Sequence, residues 1–226
     1  MTAPKAIVTD IEGTTSSLAF VHEVLFPYAA RALPDFLRSH QSDPEVAARL
    51  EDVRSEIGEP QAELEQLIEV LQRWTREDRK ATALKSLQGR VWEEGYRSGA
   101  FTGHVYDDTA PNLRKWRERG ILLYVYSSGS VEAQQLLFGH SDAGDLQPLF
   151  TGYFDTRIGG KRDAASYRTI CERIGLPPRE VMFLSDVTEE LDAAAAAGMQ
   201  TVQLVRDSTV ESGRHAVAHD FDDILL

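Results

Sequence analysis

The sequence predicts an α/β fold: a doubly wound parallel sheet interrupted by an inserted all-α helical bundle. Three observations carry that reading. Short β-branched and apolar runs at residues 6–9, 121–126, 181–184 and 201–205 have helical patterns between them, and runs that are apolar throughout belong to strands buried on both faces. Residues 16–104 contain no strand-like alternation, only apolar stripes at helical spacing. Acids and serines follow the apolar runs directly, at the carboxyl ends of strands, where open α/β sheets bind ligands.

The first strand, Ala6-Ile7-Val8-Thr9, ends on Asp10 and turns through Ile11-Glu12-Gly13-Thr14-Thr15. Two carboxylates there can divide nucleophilic and proton-transfer work. An ordinary acid-Gly turn after a strand reads the same way locally, so these residues alone leave both open. A helix is expected over 22–38. Val46, Leu50, Val53 and Ile57 then form a stripe between a Ser42-Asp43-Pro44 start and Gly58, followed by a second stripe of Leu64, Leu67, Ile68, Leu71 and Trp74 and a third of Leu84, Leu87, Val91 and Trp92. The expected division is a core of residues 1–15 and 105–226 and a helical cap of 16–104. Insertions at a strand's carboxyl edge tend to serve the site found there, so the cap reads as a lid, the alternative being a bundle that packs only as structure.

In the second half, helices are expected at 111–119, 131–138, 164–174 and 189–197, the last stopping at Gly198. Ser127 and Ser128 follow the 121–126 strand and precede a helix, an arrangement that favours an anion and equally describes a capped turn. Gly159-Gly160-Lys161 lacks the spacing of a nucleotide-phosphate loop, with Asp155 and Arg162 where glycine and a hydroxyl residue are needed. Read alone, Lys161 is a solvated lysine on a flexible turn. Asp186 ends the 181–184 strand segment, and oxygen ligands of this kind suit Mg²⁺. Glu189 and Glu190 follow in the first turn of a helix, where acids also complement the dipole.

Composition bounds the partners. The chain has 226 residues, 42% hydrophobic and 27% charged, enough for a full core. With 24 Lys and Arg against 36 Asp and Glu the net charge is −12, and no basic run offers a grip on nucleic acid. The one cysteine, Cys171, is expected as a core filler. No apolar run approaches a membrane span and no leader-like segment opens the chain, so a soluble, cytoplasmic monomer is expected.

The order Asp10, Glu12, then Ser127, Lys161 and Asp186 resembles the motif series of the haloacid dehalogenase-like hydrolases, which implies their Rossmann-like core. Within them the chain is more similar to the enolase-phosphatases of methionine salvage. It shares Asp10-Ile-Glu-Gly-Thr-Thr15, Val91-Trp-Glu-Glu-Gly-Tyr96, Tyr124-Val-Tyr-Ser-Ser-Gly-Ser-Val-Glu-Ala-Gln134, Leu136-Leu-Phe-Gly-His-Ser141, Tyr153-Phe-Asp-Thr156 and Phe183-Leu-Ser-Asp-Val-Thr188. Most hydrolase relatives have Asp at the second acid position; this branch and this chain have Glu12.

The resemblance implies a Mg²⁺-dependent enzyme, one ion per chain, that enolises 2,3-diketo-5-methylthiopentyl 1-phosphate and hydrolyses it to an acireductone. Asp10 is implied as the nucleophile, Glu12 as acid and base, Lys161 as a catalytic cation that also binds the substrate with Ser127 and Ser128, and Asp10, Glu12 and Asp186 as metal contacts. The proton-abstracting base for enolisation stays open among Glu12, His22, Glu23, His104 and Tyr106. Two rivals remain: a capped phosphatase for another small phosphate ester, and a non-enzymatic phospho-acceptor domain.

Overall fold

The structure, a computed structural model, describes residues 3–77, 79–207, 213–224 and 226. It divides into two compact units, Met1–Leu18 with Thr102–Leu226, and Ala19–Phe101. The chain leaves the sheet-bearing unit after Leu18 rather than after residue 15, and returns at Thr102 rather than at 105. The cause is local pairing of the two passages. Tyr106 N–H donates to the Thr15 carbonyl at 3.0 Å and Ser17 N–H donates to His104 Nδ1 at 3.1 Å, which keeps both segments with the sheet.

The sheet has six parallel strands: β1 (Ala6–Thr9), β2 (Leu122–Tyr126), β3 (Gly152–Phe154), β4 (Val181–Ser185), β5 (Gln200–Leu204) and β6 (Ala216–Ala218), in the order β3-β2-β1-β4-β5-β6. The four longer strands follow the apolar runs, displaced by at most one residue at their ends. β3 and β6 are three residues each, too short for a periodic pattern, and Ala216 and Val217 on edge strand β6 are exposed. Every residue of β1 is buried, as its position between β2 and β4 demands. One face packs Val8, Tyr126, Phe183, Tyr167, Ile170 and Leu191 together, with Cys171 among them, its thiol pushed up to about 11 by burial.

This strand order reverses direction beside β1, because β2 and β3 build outward on one side and β4, β5 and β6 on the other. At such a switch point the strand ends part and leave a crevice. Asp10 follows β1 and Asp186 follows β4, so the two acids border that crevice.

The second unit is all helical. Leu18–Phe20 runs through a π-helical turn, Val21–Leu25, into helix Phe26–His40, and Pro44–Ile57, Leu64–Arg76 and Thr82–Ser98 follow. Leu33, Leu37, Val46, Leu50, Val53, Leu67, Leu71, Trp74, Leu84, Leu87 and Val91 are all buried in one cluster, which is how the three stripes share a core. Among the described residues no helix is long and apolar enough to cross a membrane.

Candidate active site

Asp10 is 3% exposed at the end of β1, its N–H donating to the Leu184 carbonyl of β4 at 2.9 Å. A carboxylate this buried needs compensation. Ile11 N–H donates to Asp10 Oδ1 at 2.8 Å, and Lys161 Nζ lies 2.6 Å from the same oxygen. The Lys161 ammonium also lies 2.7 Å from Glu190 Oε2, and Ser185 Oγ donates to Glu190 Oε2 at 3.1 Å while accepting from Val187 N–H. Asp10, Lys161, Glu190 and Ser185 thus form one connected buried cluster.

The solvated, flexible reading of Lys161 is corrected here, because the residue is 8% exposed on a pinned loop. Three hydroxyls hold three successive carbonyls: Tyr126 Oη donates to Gly159 O, Ser166 Oγ to Gly160 O and Tyr167 Oη to Lys161 O, at 2.7–2.9 Å. Gly159 has φ +139°, and a Cβ there would run into Ser166 Oγ. Gly159 allows a close approach to the following helix, where sequence alone suggests slack.

Glu12 curls back after Asp10, and its carboxyl is raised above the usual carboxylate range by burial and then by the charge of Asp10. Burial and Asp10 also push Asp186 up to about 6 and Glu190 up to about 7. Burial works to lower the Lys161 pKa, yet the charges of Asp10 and Glu190 outweigh it and hold the ammonium above its ordinary value. The site therefore concentrates carboxylates around one buried cation, and Glu12, Asp186 and Glu190 all hold their protons to higher pH than free carboxylates do.

Whether the acids fit a divalent cation is decided by their unused oxygens. Asp186 Oδ1 is buried and has no hydrogen-bond partner. Gly13 (φ +69°) leaves the space beside it clear, because a Cβ there would collide with the Asp186 carboxylate. Among the described residues no group of three or more His, Cys, Asp and Glu side chains forms a ready-made cage. Mg²⁺ needs none, since it is held by one or two carboxylates with water and substrate oxygens. Orphaned Asp186 Oδ1 beside the carboxylates of Asp10 and Glu12 fits that donor set.

Ser127 is buried at the end of β2, its Oγ accepting from Gly129 N–H at 3.1 Å, and Ser128 is exposed beside it. The loop is tied down by Gln134, whose Nε2 donates to Gly129 O at 2.8 Å and to Phe154 O at 2.9 Å. Ser130 Oγ caps helix Val131–Gly139. Of the other base candidates, His22 and Glu23 lie in the π-helical turn of the helical unit. His104 and Tyr106 lie in the sheet-bearing unit, their rings 5.2 Å apart. Because His104 Nδ1 accepts from Ser17 N–H, a neutral His104 carries its proton on Nε2.

Sequence reasoning assigned Asp10, Glu12, Ser127, Lys161 and Asp186 to one sheet edge and left Glu190 undecided between an oxygen ligand beside Asp186 and a helix-start acid, outside the assigned site residues. Its signal was present, an acid four residues beyond Asp186 at the start of helix Thr188–Ala196, yet helix starts carry such acids routinely. Ser185 looked like the last strand residue and nothing more.

Comparison with known proteins agrees with this geometry. The family model for haloacid dehalogenase-like hydrolases matches residues 4–198. Enolase-phosphatase E1 of Pseudomonas aeruginosa (strain UCBPP-PA14) is 59% identical, covering 98% of this chain and 98% of its own length. Enolase-phosphatase E1 of Serratia proteamaculans is 58% identical, covering 98% and 97%. The crystal structure of the UTR4 protein of Saccharomyces cerevisiae superposes with a TM-score of 0.83 at 33% identity, covering 98% of this chain and all of that one. The chain belongs to the haloacid dehalogenase-like hydrolases and, within them, to the enolase-phosphatase E1 enzymes.

Proposed function

We propose that the enzyme enolises 2,3-diketo-5-methylthiopentyl 1-phosphate and then releases its phosphate, giving the acireductone 1,2-dihydroxy-3-keto-5-methylthiopentene of methionine salvage. The observation that carries the phosphatase reading is the clamp of Lys161 on Asp10 at 2.6 Å, beside an Asp186 oxygen that is buried and unpartnered. The substrate identity is supported by the enolase-phosphatase E1 relatives at 58–59% identity over nearly the whole chain.

Asp10 attacks phosphorus through a carboxylate oxygen, forming a P–O bond to the enzyme as the bond to the substrate's enol oxygen breaks. Glu12, kept protonated by burial and by Asp10, gives its proton to the departing oxygen. As a carboxylate it then takes a proton from water, which attacks phosphorus and returns Asp10 with inorganic phosphate. Lys161 holds the Asp10 carboxylate in line and offsets the charge arriving with the phosphoryl group, and Ser127 and Ser128 hold its oxygens. Asp10, Asp186 and the Glu12 position would hold Mg²⁺, which when bound would supply the positive charge that a phosphate dianion needs to enter among these acids.

Of the candidate bases for enolisation, Glu12, His22, Glu23, His104 and Tyr106, His104 is set aside because its Nδ1 lone pair is taken by Ser17 N–H. The proposal is tested by supplying the diketo phosphate with Mg²⁺ while following phosphate and the acireductone absorbance together. Coupled appearance of both is expected. Phosphate release from a panel of sugar phosphates, with no acireductone from the diketo compound, would select the general phosphatase instead.

A further inference from the structure

Beyond the residues that face the reaction, one buried cation sits behind the catalytic turn. Arg206 follows β5, and its side chain is 6% exposed. Nε and Nη2 both donate to the carbonyl of Thr14, at 3.0 and 2.6 Å, while Nη1 pairs with Asp108 Oδ1 at 2.7 Å. The guanidinium lies over the Tyr106 ring at 4.2 Å and the Phe221 ring at 5.0 Å. Asp108 is fixed in turn by Phe221 N–H, which donates to its Oδ2 at 2.7 Å. Each of the three guanidinium nitrogens thus has a partner and two aromatic rings lie against it, at a contact with Thr14 spanning 192 positions of sequence.

Thr14 belongs to the turn that places Glu12 and Gly13. That turn closes on itself through Thr14 N–H to Ile11 O, Ser16 N–H to Ile11 O and Gly13 N–H to Ser16 O. From outside, Tyr106 N–H and Thr109 Oγ1 hold the Thr15 carbonyl, at 3.0 and 3.2 Å, and Arg206 holds the Thr14 carbonyl next to it. Gly13 abuts the Asp186 carboxylate closely enough that a Cβ cannot fit between them, so a shift of the turn changes the spacing between Asp186 and the acids that follow β1. From the other side Gln203, fully buried on β5, donates through Nε2 to the Asp186 carbonyl at 3.2 Å. The end of β5 therefore braces both walls of the carboxylate pocket.

We propose that Arg206 is a positioning residue for the divalent-cation site: by forking onto the Thr14 carbonyl it sets the separation of Asp10 and Glu12 from Asp186. The inference rests on the Mg²⁺-dependent reading given above. An arginine is required because two donors in one plane converge on a single oxygen while a third reaches Asp108, whereas a lysine supplies one point charge.

The test is Arg206→Lys, which keeps the partner for Asp108 and loses the fork. Mg²⁺ binding is measured directly by calorimetric titration and by the Mg²⁺-dependent rise in Tm, with kcat determined at saturating Mg²⁺. Outer partners of metal ligands typically cost tenfold or more in affinity. Mg²⁺ affinity is expected to weaken about tenfold, with kcat at saturation within about threefold of wild type. Arg119→Lys, which removes a comparable guanidinium contact to the Leu226 carbonyl, is expected to leave Mg²⁺ affinity unchanged. A purely structural role for Arg206 would lower Tm and leave the affinity of the folded protein where it was, which would overturn the proposal. If Arg206→Lys yields no folded protein, Asp108→Asn, which loosens the guanidinium without removing it, is read by the same two outcomes. A wild-type enzyme that neither binds nor needs Mg²⁺ would instead overturn the metal reading itself.

Discussion

Replacing Lys161 with Met removes the charge between Asp10 and Glu190 while keeping the length of the side chain. In the native protein Nζ lies 2.6 Å from one carboxylate and 2.7 Å from the other, with the lysine side chain 7% exposed. Deleting one partner of a buried pair leaves an uncompensated charge and costs about 3–5 kcal/mol. For a protein of this size that is a fall in Tm of roughly 6–20 °C. The loss must depend on pH with a definite sign. Asp10 and Glu190 hold the lysine above its ordinary value against the pull of burial, so its contribution is present at every pH below about 10, the value of an unfolded lysine. The penalty in the variant does titrate, because the Glu190 carboxylate left behind relieves it by taking up a proton. Glu190 reaches about 7 even with the lysine in place. Urea and thermal unfolding at pH 8 and pH 5, without Mg²⁺, should therefore show a large difference between wild type and variant at pH 8 and a small one at pH 5. Turnover should fall about 10²–10³-fold, as for loss of a preorganised charge at a reacting group. A variant as stable as wild type at pH 8, or one whose deficit grows toward pH 5, would refute the clamp.

Three further outcomes are expected. Gly13→Ala meets a positive φ and the Asp186 carboxylate together, so it should weaken Mg²⁺ binding while the fold survives by circular dichroism; unchanged affinity would show that the turn does not border the metal pocket. Glu12→Gln should slow both formation and breakdown of the phospho-enzyme, lowering turnover, and single-turnover rapid quench giving wild-type rates for both steps would count against the acid–base role. Asp186 has its carboxyl raised to about 6, first by burial and then by Asp10, so the folded state holds its proton to higher pH than the unfolded chain and loses stability as pH climbs through that value. Asp186→Asn should accordingly stabilise the metal-free protein at pH 8 more than at pH 5, a contrast that paired denaturant titrations would reveal or exclude.

How far the fold is legible depends on length and pattern. β1, β2 and β4 are mainly apolar runs buried along most of their length, and β5 carries Val202 and Leu204 beside Gln203, so short apolar segments between helical patterns marked all four. β3 and β6 are three residues each, shorter than any pattern that distinguishes strand from turn. The same limit applies within the site. Asp10, Ser127 and Asp186 each follow an apolar run, a position that sequence shows directly. Lys161 looked solvated because its burial comes from Tyr126, Ser166 and Tyr167, hydroxyls supplied by other elements to the carbonyls of its loop. Arg206 has no local mark at all, since its partners Thr14 and Asp108 lie 192 and 98 positions away. Contacts of that span are properties of the sheet order, and no window along the chain contains them.

The central claim is that phosphate passes through Asp10. The most direct measurement is to mix enzyme, Mg²⁺ and the diketo phosphate, quench within the burst, reduce with borohydride and locate the modified residue by peptide mass. An acyl phosphate on Asp10 is predicted to be converted to the corresponding alcohol at position 10, a product absent in Asp10→Asn, which should also lack turnover. Full turnover with no modification at position 10, or wild-type rates in Asp10→Asn, would contradict the account.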